Sequence, residues 1–229
     1  MTLTIKTITT QFIFRMTVNC YLVETNNGFI LIDTATTGKR KTIEKELIKA
    51  GCRRGDLKLI VLTHGDFDHC GNAAYLRKTF GAKIAMHKAD NGMVEQGNMF
   101  WNRKTPPFLV RAIMGLLFKL PKSDQFKSDF FLEEGDTLAA YGFDAQVVEL
   151  PGHSKGSIGL LTQDGDLFCG DLLANTDKPD VWTIIDDPAA ARASVETLKD
   201  LAINTVYPGH GQSFPMNVFW NNNEVSVEV

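Results

Sequence analysis

The first third of the chain alternates apolar runs with turn residues. Three runs rich in β-branched residues, TLTIKTI, VNCYLVET and GFILIDT, are separated by such turns, and Asn26-Asn27-Gly28 is typical of a tight hairpin. The run LKLIVLT has the continuous apolar character of a strand buried between layers. The pattern therefore predicts a meander of three strands followed by a buried strand.

Helical spacing occurs between these strands. In residues 38–50, Ile43, Leu47 and Ile48 lie near one helical face, and Gly51 marks the end of that helix. The segment NAAYLRKTF is predicted to be a second helix, which ends at Gly81 before the strand AKIAM. Strands and helices therefore alternate in this half of the chain.

The second half repeats the alternation. Residues 188–201 are predicted to form a helix with Pro188 in its first turn. The predicted strands are FDAQVVEL, SIGLLTQ, DLFCGD and a last one, INTVYPG, that ends at Gly209. We interpret the chain as an α/β protein of one domain, residues 1–229, with sheets inside and helices outside.

Residues 91–132 do not follow the alternation and are interpreted as a helical insertion. Between Met99 and Lys127 there are six basic residues against one acidic residue. The apolar run PFLVRAIMGLLFKLP within it contains an arginine and a lysine, and it falls short of the roughly 20 residues that a membrane-spanning helix needs. We expect this insertion to cover another part of the molecule.

The composition changes this picture little. The chain of 229 residues has a formal net charge of −3 and is 44% hydrophobic, a balance that argues against a general nucleic-acid binder. The N-terminus lacks a basic start followed by an uninterrupted apolar run, and the four cysteines lie far apart, as free thiols in a reducing compartment would. These features predict a cytoplasmic protein.

The candidate chemistry lies in four short motifs, THGDFDH, LPGHS, FCGD and YPGHG. Each motif comes at or just after the end of a predicted strand, where a rigid scaffold presents functional groups. Imidazole and carboxylate are ligands that zinc and iron accept, and the adjacent glycines let the backbone bend sharply. His87 has no such context, and we expect it at a strand end or helix start rather than in a metal site.

In this order and at these separations, THGDFDHCGN, LPGHSKGS, FCGD and YPGHG resemble the metallo-β-lactamase fold superfamily of metallohydrolases. The resemblance covers roughly residues 10–212, and GFILIDT places Asp33 at the position of the family's structural aspartate. It implies a four-layer αββα sandwich with a metal site at one edge of the two sheets. The motifs are shared by thiolesterases, lactonases and phosphodiesterases, so they do not select one member.

The resemblance also implies two divalent metal ions about 3.5–4 Å apart. A water activated between them would attack an ester, thioester or lactone carbonyl, and Asp68 would serve both as a ligand and as a proton shuttle. The implied ligands are His64, Asp66 and His153 for the first ion, Asp68, His69 and His210 for the second, and Asp171 as the bridge between them.

Asp66 departs from the pattern, because the family most often has a histidine there. A carboxylate makes the site less positive and favours harder ions, so iron or manganese stand beside zinc, the first expectation. Three interpretations are open: a dinuclear hydrolase, a mononuclear Fe(II) oxygenase resembling the superfamily's persulfide dioxygenases and using His64, His153 and Asp171, and a catalytically degenerate binding domain.

The substrate is expected to be a small molecule, anionic in one part and apolar in another. In related lactonases and thiolesterases the segment equivalent to 91–132 forms part of the substrate pocket, which would make it a lid; a helical hairpin that completes the core, or docking of 103–122 on an acidic membrane surface, are the alternatives. The sequence leaves the oligomeric state open. The candidate substrate-contacting residues are Trp101, Phe108, Phe118, Asn175 and Tyr207.

Overall fold

The apolar runs of the first half form one six-stranded sheet. The computed structural model describes residues 4–13, 16–104, 109 and 119–224. The first three strands are the antiparallel meander predicted from the sequence, and the other three extend it in parallel. In spatial order the strands are β1 (Thr4–Gln11), β2 (Thr17–Thr25), β3 (Gly28–Ile32), β4 (Leu57–Val61), β5 (Lys83–Met86) and β6 (Phe130–Phe131).

A second sheet forms from the second half. The strands of this half are β7 (Ala145–Glu149), β8 (Ile158–Thr162), β9 (Asp166–Gly170), β10 (Leu173–Asn175), β11 (Pro179–Val181), β12 (Thr205–Pro208) and β13 (Phe214–Pro215). Five of them form the sheet in the order β13-β12-β9-β8-β7, with β9 and β12 parallel and the other pairs antiparallel. The other two, β10 and β11, pair with each other as a small antiparallel hairpin.

The helices begin and end where local chemistry favours it. The third helix stops at Gly81, whose φ of 81° is left-handed and suits glycine, and the fifth begins at Pro188 with Asp187 as its cap. The helices for which the structure describes both ends are α1 (Arg40–Lys49), α2 (Phe67–Cys70), α3 (Ala73–Phe80), α4 (Lys88–Gln96), α5 (Pro188–Thr197) and α6 (Met216–Glu224). Ile43 and Leu47 are buried as predicted, but Ile48, which was predicted on the same face of α1, is exposed.

Three apolar cores hold four layers together and confirm the predicted αββα sandwich. In β2, Cys20 and Leu22 pack toward α1 and α3, whereas Tyr21 and Val23 pack between the two sheets. A third core joins the second sheet to α5 and α6. Complete burial of each large apolar side chain contributes about 1.5–3 kcal/mol, so the sheets are fixed against each other close to the edge where the motifs emerge.

The described parts of the insertion belong to the core as well as to the surface. The insertion begins within α4 and ends in β6, which adds an edge strand to the first sheet. Leu120 and Phe126 pack in the core beneath the helices, and Asp124 pairs with Arg40. Most of the apolar run, including Phe108 and Phe118, lies outside the described residues. None of the described helices has the length and apolar character needed to cross a bilayer.

The sequence pattern predicted that INTVYPG is the last strand of the chain, and this prediction is wrong. β13 pairs with β12, and α6 follows directly, so that Met216 and Phe219 are buried against the second sheet. The expectation for His87 is met, because it caps α4 by accepting a hydrogen bond from the backbone N–H of Ala89.

Candidate metal centre

The four motifs meet at one edge of the two sheets. The THGDFDH loop follows β4, LPGHS follows β7, FCGD ends β9 and YPGHG ends β12. Residues distant in sequence come into contact there: Nε2 of His153 lies 2.9 Å from Oδ2 of Asp66, 87 positions earlier. The two halves of the chain therefore contribute jointly to one group of residues, which we name the edge cluster. Its members are His64, Asp66, Asp68, His69, His153, Asp171 and His210.

Each histidine of the edge cluster is fixed through its Nδ1 atom. A carbonyl or carboxylate oxygen only accepts hydrogen bonds, so the Nδ1 atoms that face one carry the proton, and Nε2 points to the centre. This is the arrangement that metal-binding histidines adopt. The acceptors are Thr63 Oγ1 for His64 (2.9 Å), Asp33 Oδ2 for His69 (2.9 Å), Ile184 O for His153 (2.6 Å) and Thr17 O for His210 (2.6 Å).

The ligand atoms form overlapping sets of three, and within each set they lie within 4.8 Å of one another. Asp171 joins the sets, because its Oδ2 atom is 3.9 Å from Nε2 of His64 and 3.2 Å from Nε2 of His210. The sets are one of His64, Asp66 and His153, one of Asp68, His69 and His210, and one of His64, His69 and Asp171. The geometry brings together all seven residues that the family resemblance implied as ligands.

Two buried atoms of the edge cluster have no hydrogen-bond partner within the described ranges. They are Nε2 of His64 and Oδ1 of Asp171, and their side chains are 0% and 4% exposed. Leaving a buried polar atom unpaired costs about 1–3 kcal/mol. A metal ion would satisfy both atoms, and mixed imidazole and carboxylate donors are accepted by zinc and by iron. The residues therefore fit the metal site that the motifs imply.

The electrostatics also suit a cation. Burial lowers the pKa of His69, but the carboxylates of Asp171 and Asp68 outweigh it and raise the pKa to about 10. Burial opposes ionisation of Asp171, yet His210 and His69 hold its pKa well below its usual range. Burial, together with the neighbouring rings, keeps the pKa of His64 well below its usual range. The carboxylates attract positive charge, and a metal ion binds by displacing the protons.

Asp33 orients two of the histidines from behind. It is 2% exposed and has a left-handed φ of 59°, which is uncommon outside glycine. Its Oδ2 atom accepts hydrogen bonds from Nδ1 of His69 and from the hydroxyl of Thr63, at 2.9 and 2.8 Å, and the same hydroxyl accepts from His64. This placement agrees with the structural role that the family resemblance implied for Asp33.

Asp90 ties the loop of His64 to the loop of His153, and no motif indicated it. The carboxylate is completely buried at the start of α4. It accepts hydrogen bonds from the backbone N–H of Gly65 (3.0 Å), the hydroxyl of Ser154 (2.6 Å) and the backbone N–H of Gly156 (2.9 Å). The relative position of the two ligand loops therefore depends on one carboxylate.

Arg103 is a second residue that no motif indicated. It lies in the insertion, 37 positions from Asp66, and its Nη1 atom donates to Oδ1 of Asp66 at 2.7 Å. Burial opposes the charged form of Asp66, but Arg103 and His153 hold the pKa of that carboxyl well below its usual range. The insertion therefore reaches the edge cluster through a basic residue.

Gly209 leaves room for the ligands beside it. A methyl group at this position would overlap Oδ1 of Asp171 and would lie 2.7 Å from Cε1 of His69. We expect Gly209→Ala to displace Asp171 and to weaken metal binding about 10–100-fold, measured by competition with a chromophoric chelator. Gly38→Ala is the control, because that position is open. Equal affinity in both variants would contradict the role of Gly209.

The candidate substrate residues are placed differently from one another. Asn175 borders a cleft of about 1040 Å³ next to His210, and its N–H donates to the carbonyl of His210. Tyr207 stacks on Phe168 in the core between the sheets, which favours a packing role. Trp101 packs against Gly92 of α4 and is 53% exposed.

Trp182 also borders this cleft and was not foreseen from the sequence. Its ring stacks on that of His210, with centroids 4.6 Å apart and an angle of 12° between the planes. The side chain is 7% exposed, so it covers one face of the histidine. The remaining cleft residues include Thr9, Thr17 and Gln212, which offer hydroxyl and amide groups.

A family model described as the metallo-beta-lactamase superfamily matches residues 14–210. Among related proteins, hydroxyacylglutathione hydrolase GloC of Haemophilus influenzae is 31% identical over 167 residues, which cover 68% of this chain and 69% of GloC. YobT of Bacillus subtilis is 33% identical over 156 residues, 67% of this chain. The match spans 61% of the length of YobT.

Solved structures show the same fold. The chain superposes on TTHA1623, solved in a di-iron-bound form, with a TM-score of 0.74, 28% sequence identity and coverage of 96% of this chain and 99% of that one. It superposes on the B3 metallo-beta-lactamase BLEG-1 with a TM-score of 0.73 and 21% identity, covering 98% of this chain and 100% of that one. The second likeness concerns the fold alone.

Proposed function

The chain belongs to the metallo-β-lactamase superfamily, and we propose that it is a metal-dependent hydrolase of ester-like compounds, with thioesters as the preferred class and lactones as the next. The observation that carries the proposal is the edge cluster, in which four histidines fixed through Nδ1 turn Nε2 toward three carboxylates. The relationship to a hydroxyacylglutathione hydrolase favours the thioester.

Two divalent ions fit the donor set, zinc or iron before manganese. When bound, such ions polarise a carbonyl group and make a water molecule acidic enough to act as a nucleophile near neutral pH. In this proposal His64, Asp66 and His153 would hold one ion, Asp68, His69 and His210 would hold the other, and Asp171 would contribute to both. The di-iron form of a related structure supports iron as a candidate.

Asp68 is suited to move a proton. Its Oδ2 atom lies 3.8 Å from Nε2 of His69 and 3.6 Å from Nε2 of His210. In this proposal Asp68 takes the proton released during attack and returns it to the leaving group, as a general acid–base pair requires.

The cleft beside His210 is the proposed place for the polar part of the substrate; its lining includes none of the seven residues of the edge cluster, so the reacting bond would lie outside it, at the cluster. The cleft's volume of about 1040 Å³ is ample for a small molecule. Thr17, Asn175 and Gln212 offer hydrogen bonds to a polar acyl group, and Trp182 covers the ring of His210 and excludes water from that side. The lid role of 91–132, membrane contact through 103–122 and the cytoplasmic location stay predictions.

Turnover of a defined thioester tests the proposal. We expect protein loaded with zinc or iron to hydrolyse S-lactoylglutathione at least 100-fold more efficiently, as kcat/KM, than an acyl-homoserine lactone or a chromogenic cephalosporin. Treatment with a chelator should abolish the reaction, because the edge cluster then lacks its Lewis acids, and added metal should restore it.

Failure of this test would have a definite form. A rate on the thioester equal to that of the chelator-treated protein would contradict the proposal. Consumption of oxygen with glutathione persulfide by protein containing one iron would instead favour the oxygenase, whose implied ligands are His64, His153 and Asp171. Lactone turnover above thioester turnover would keep the hydrolase and change its substrate.

A further inference from the structure

The two carboxylate oxygens of Asp66 have different surroundings. Oδ2 faces the centre of the edge cluster, 2.9 Å from Nε2 of His153 and 3.8 Å from Nε2 of His64. Oδ1 points away and accepts a hydrogen bond from Nη1 of Arg103 at 2.7 Å. Asp66 thus follows the rule of the four histidines, in that one atom is held by a residue outside the edge cluster and the other faces the centre, where its contact is a candidate ligand, His153.

The surroundings of Arg103 show that its position depends on Asp66. Its side chain is only 8% exposed, and its Nε and Nη2 atoms have no hydrogen-bond partner within the described ranges. A guanidinium this deeply buried needs a carboxylate, because burial of an unpaired charge costs several kcal/mol. Asp66 is the carboxylate that contacts it, and Asp90 and Asp186 add attraction from farther away.

Asp66 and Arg103 together have the same net charge as the neutral histidine that is more common at position 66 in the family. A carboxylate in place of a neutral imidazole adds one negative charge to the metal centre, which alone would make the centre less positive. The guanidinium, in direct contact with the carboxylate, adds one positive charge. Asp66 and Arg103 together therefore carry no net charge and offer one donor atom, as a histidine does.

We propose that Asp66 and Arg103 act as one unit that takes the place of a histidine in the metal centre. Arg103 is a positioning residue: it occupies Oδ1, so that Asp66 binds through Oδ2 only, and it offsets the charge of the carboxylate. A planar guanidinium suits this role better than a lysine, because it is always charged and holds a carboxylate in a fixed orientation. The inference rests on the proposed metal centre but not on the identity of the substrate.

The test exchanges the two residues singly and together. Metal affinity is measured for zinc by chelator competition, and zinc content by mass spectrometry, in Asp66→His, Arg103→Met and the double variant. We expect Asp66→His alone to lose at least tenfold in affinity and to hold about one ion, because the buried guanidinium then faces a metal ion without its carboxylate. The double variant should return to within about threefold of the unmodified protein, with two ions.

Matched controls separate this effect from a general loss of positive charge. Lys104 is the exposed basic neighbour of Arg103, and Lys104→Met combined with Asp66→His should restore nothing. Thermal unfolding of each variant identifies loss of the fold. Should Asp66→His fail to fold, Asp66→Asn takes its place, since it keeps the shape and removes the charge, and Arg103→Met should restore metal to it as well.

Two outcomes would overturn the proposal. One is that the single variant Asp66→His, which keeps Arg103, binds two zinc ions as tightly as the double variant Asp66→His with Arg103→Met. The other is that the unmodified protein binds no zinc, which would also remove the metal centre on which the proposed function depends. A normal metal response combined with no turnover of the thioester would leave the Asp66 and Arg103 unit standing and would count only against the proposed substrate.

Discussion

Replacing Asp171 by alanine is expected to lower kcat/KM for the preferred substrate about a thousandfold or more and to reduce the metal content. Its Oδ2 atom is 3.2 Å from Nε2 of His210 and 3.9 Å from Nε2 of His64, so it is the carboxylate placed between the two ligand sets. Loss of a shared ligand removes charge stabilisation worth several kcal/mol, and each 1.36 kcal/mol is a factor of ten. Both quantities are measured on protein reconstituted with excess metal.

The matched control for Asp171→Ala is Asp164→Ala. Asp164 lies just before β9 and Asp171 just after it, so the two aspartates flank the same strand, but Asp164 is exposed. We expect Asp164→Ala to retain full turnover and two ions. Retention of at least half of the activity by Asp171→Ala would show that the edge cluster is not the reaction centre.

Replacing Asp90 by alanine is expected to lower the free energy of unfolding by about 3–5 kcal/mol. The change leaves two buried backbone N–H groups, those of Gly65 and Gly156, and the hydroxyl of Ser154 without their shared acceptor. Each unpaired buried donor costs about 1–3 kcal/mol. For a chain of this size the loss corresponds to a fall in Tm of roughly 10 °C. Urea unfolding with metal removed measures the effect on the protein alone.

An exposed aspartate provides the comparison for Asp90→Ala. Asp200 lies at the end of a single helical turn and is exposed, and Asp200→Ala should change the free energy of unfolding by less than about 0.5 kcal/mol. If Asp90→Ala is equally mild, the hydrogen bonds between the two ligand loops do not stabilise the fold. A change in metal affinity without a change in the free energy of unfolding would mean that Asp90 positions the two loops but does not stabilise the fold.

The convergence of the seven candidate ligands could be predicted because their motifs are short, lie at strand ends and resemble those of the family. His64, Asp68 and His69 lie within six positions, and each of the other motifs combines a ligand with glycine at the end of an apolar strand. Apolar strand runs also predict which way the side chains point. Alternate residues of β2, for example, divide between the two cores. The fold class followed from the same alternation of strands and helices.

Arg103, Asp90 and Trp182 could not be predicted, because their significance depends on distant contacts. Arg103 finds its partner 37 positions away, and Asp90 binds Ser154 across 64 positions. A lone arginine in a basic segment has no local mark that separates it from its neighbours. The apolar residues of α6 were a different case: Met216 and Phe219 have the spacing of a buried helical face, a signal that was present.

The presence of a complete second ligand set bears on the alternatives to a hydrolase. A mononuclear site needs His64, His153 and Asp171 only, yet Asp68, His69 and His210 also converge within 4.8 Å of one another. All four imidazole rings are held through Nδ1 with Nε2 toward the centre, an orientation that metal binding requires and a domain without a metal does not. Both observations favour two ions and a working centre.

The metal content of the unmodified protein tests this account most directly. The protein is purified without a histidine tag or chelator, and zinc, iron and manganese per chain are counted by inductively coupled plasma mass spectrometry. The account predicts about two divalent ions per chain. Fewer than about 0.2 ions per chain after incubation with each metal, or a single iron that cannot be raised to two, would contradict it.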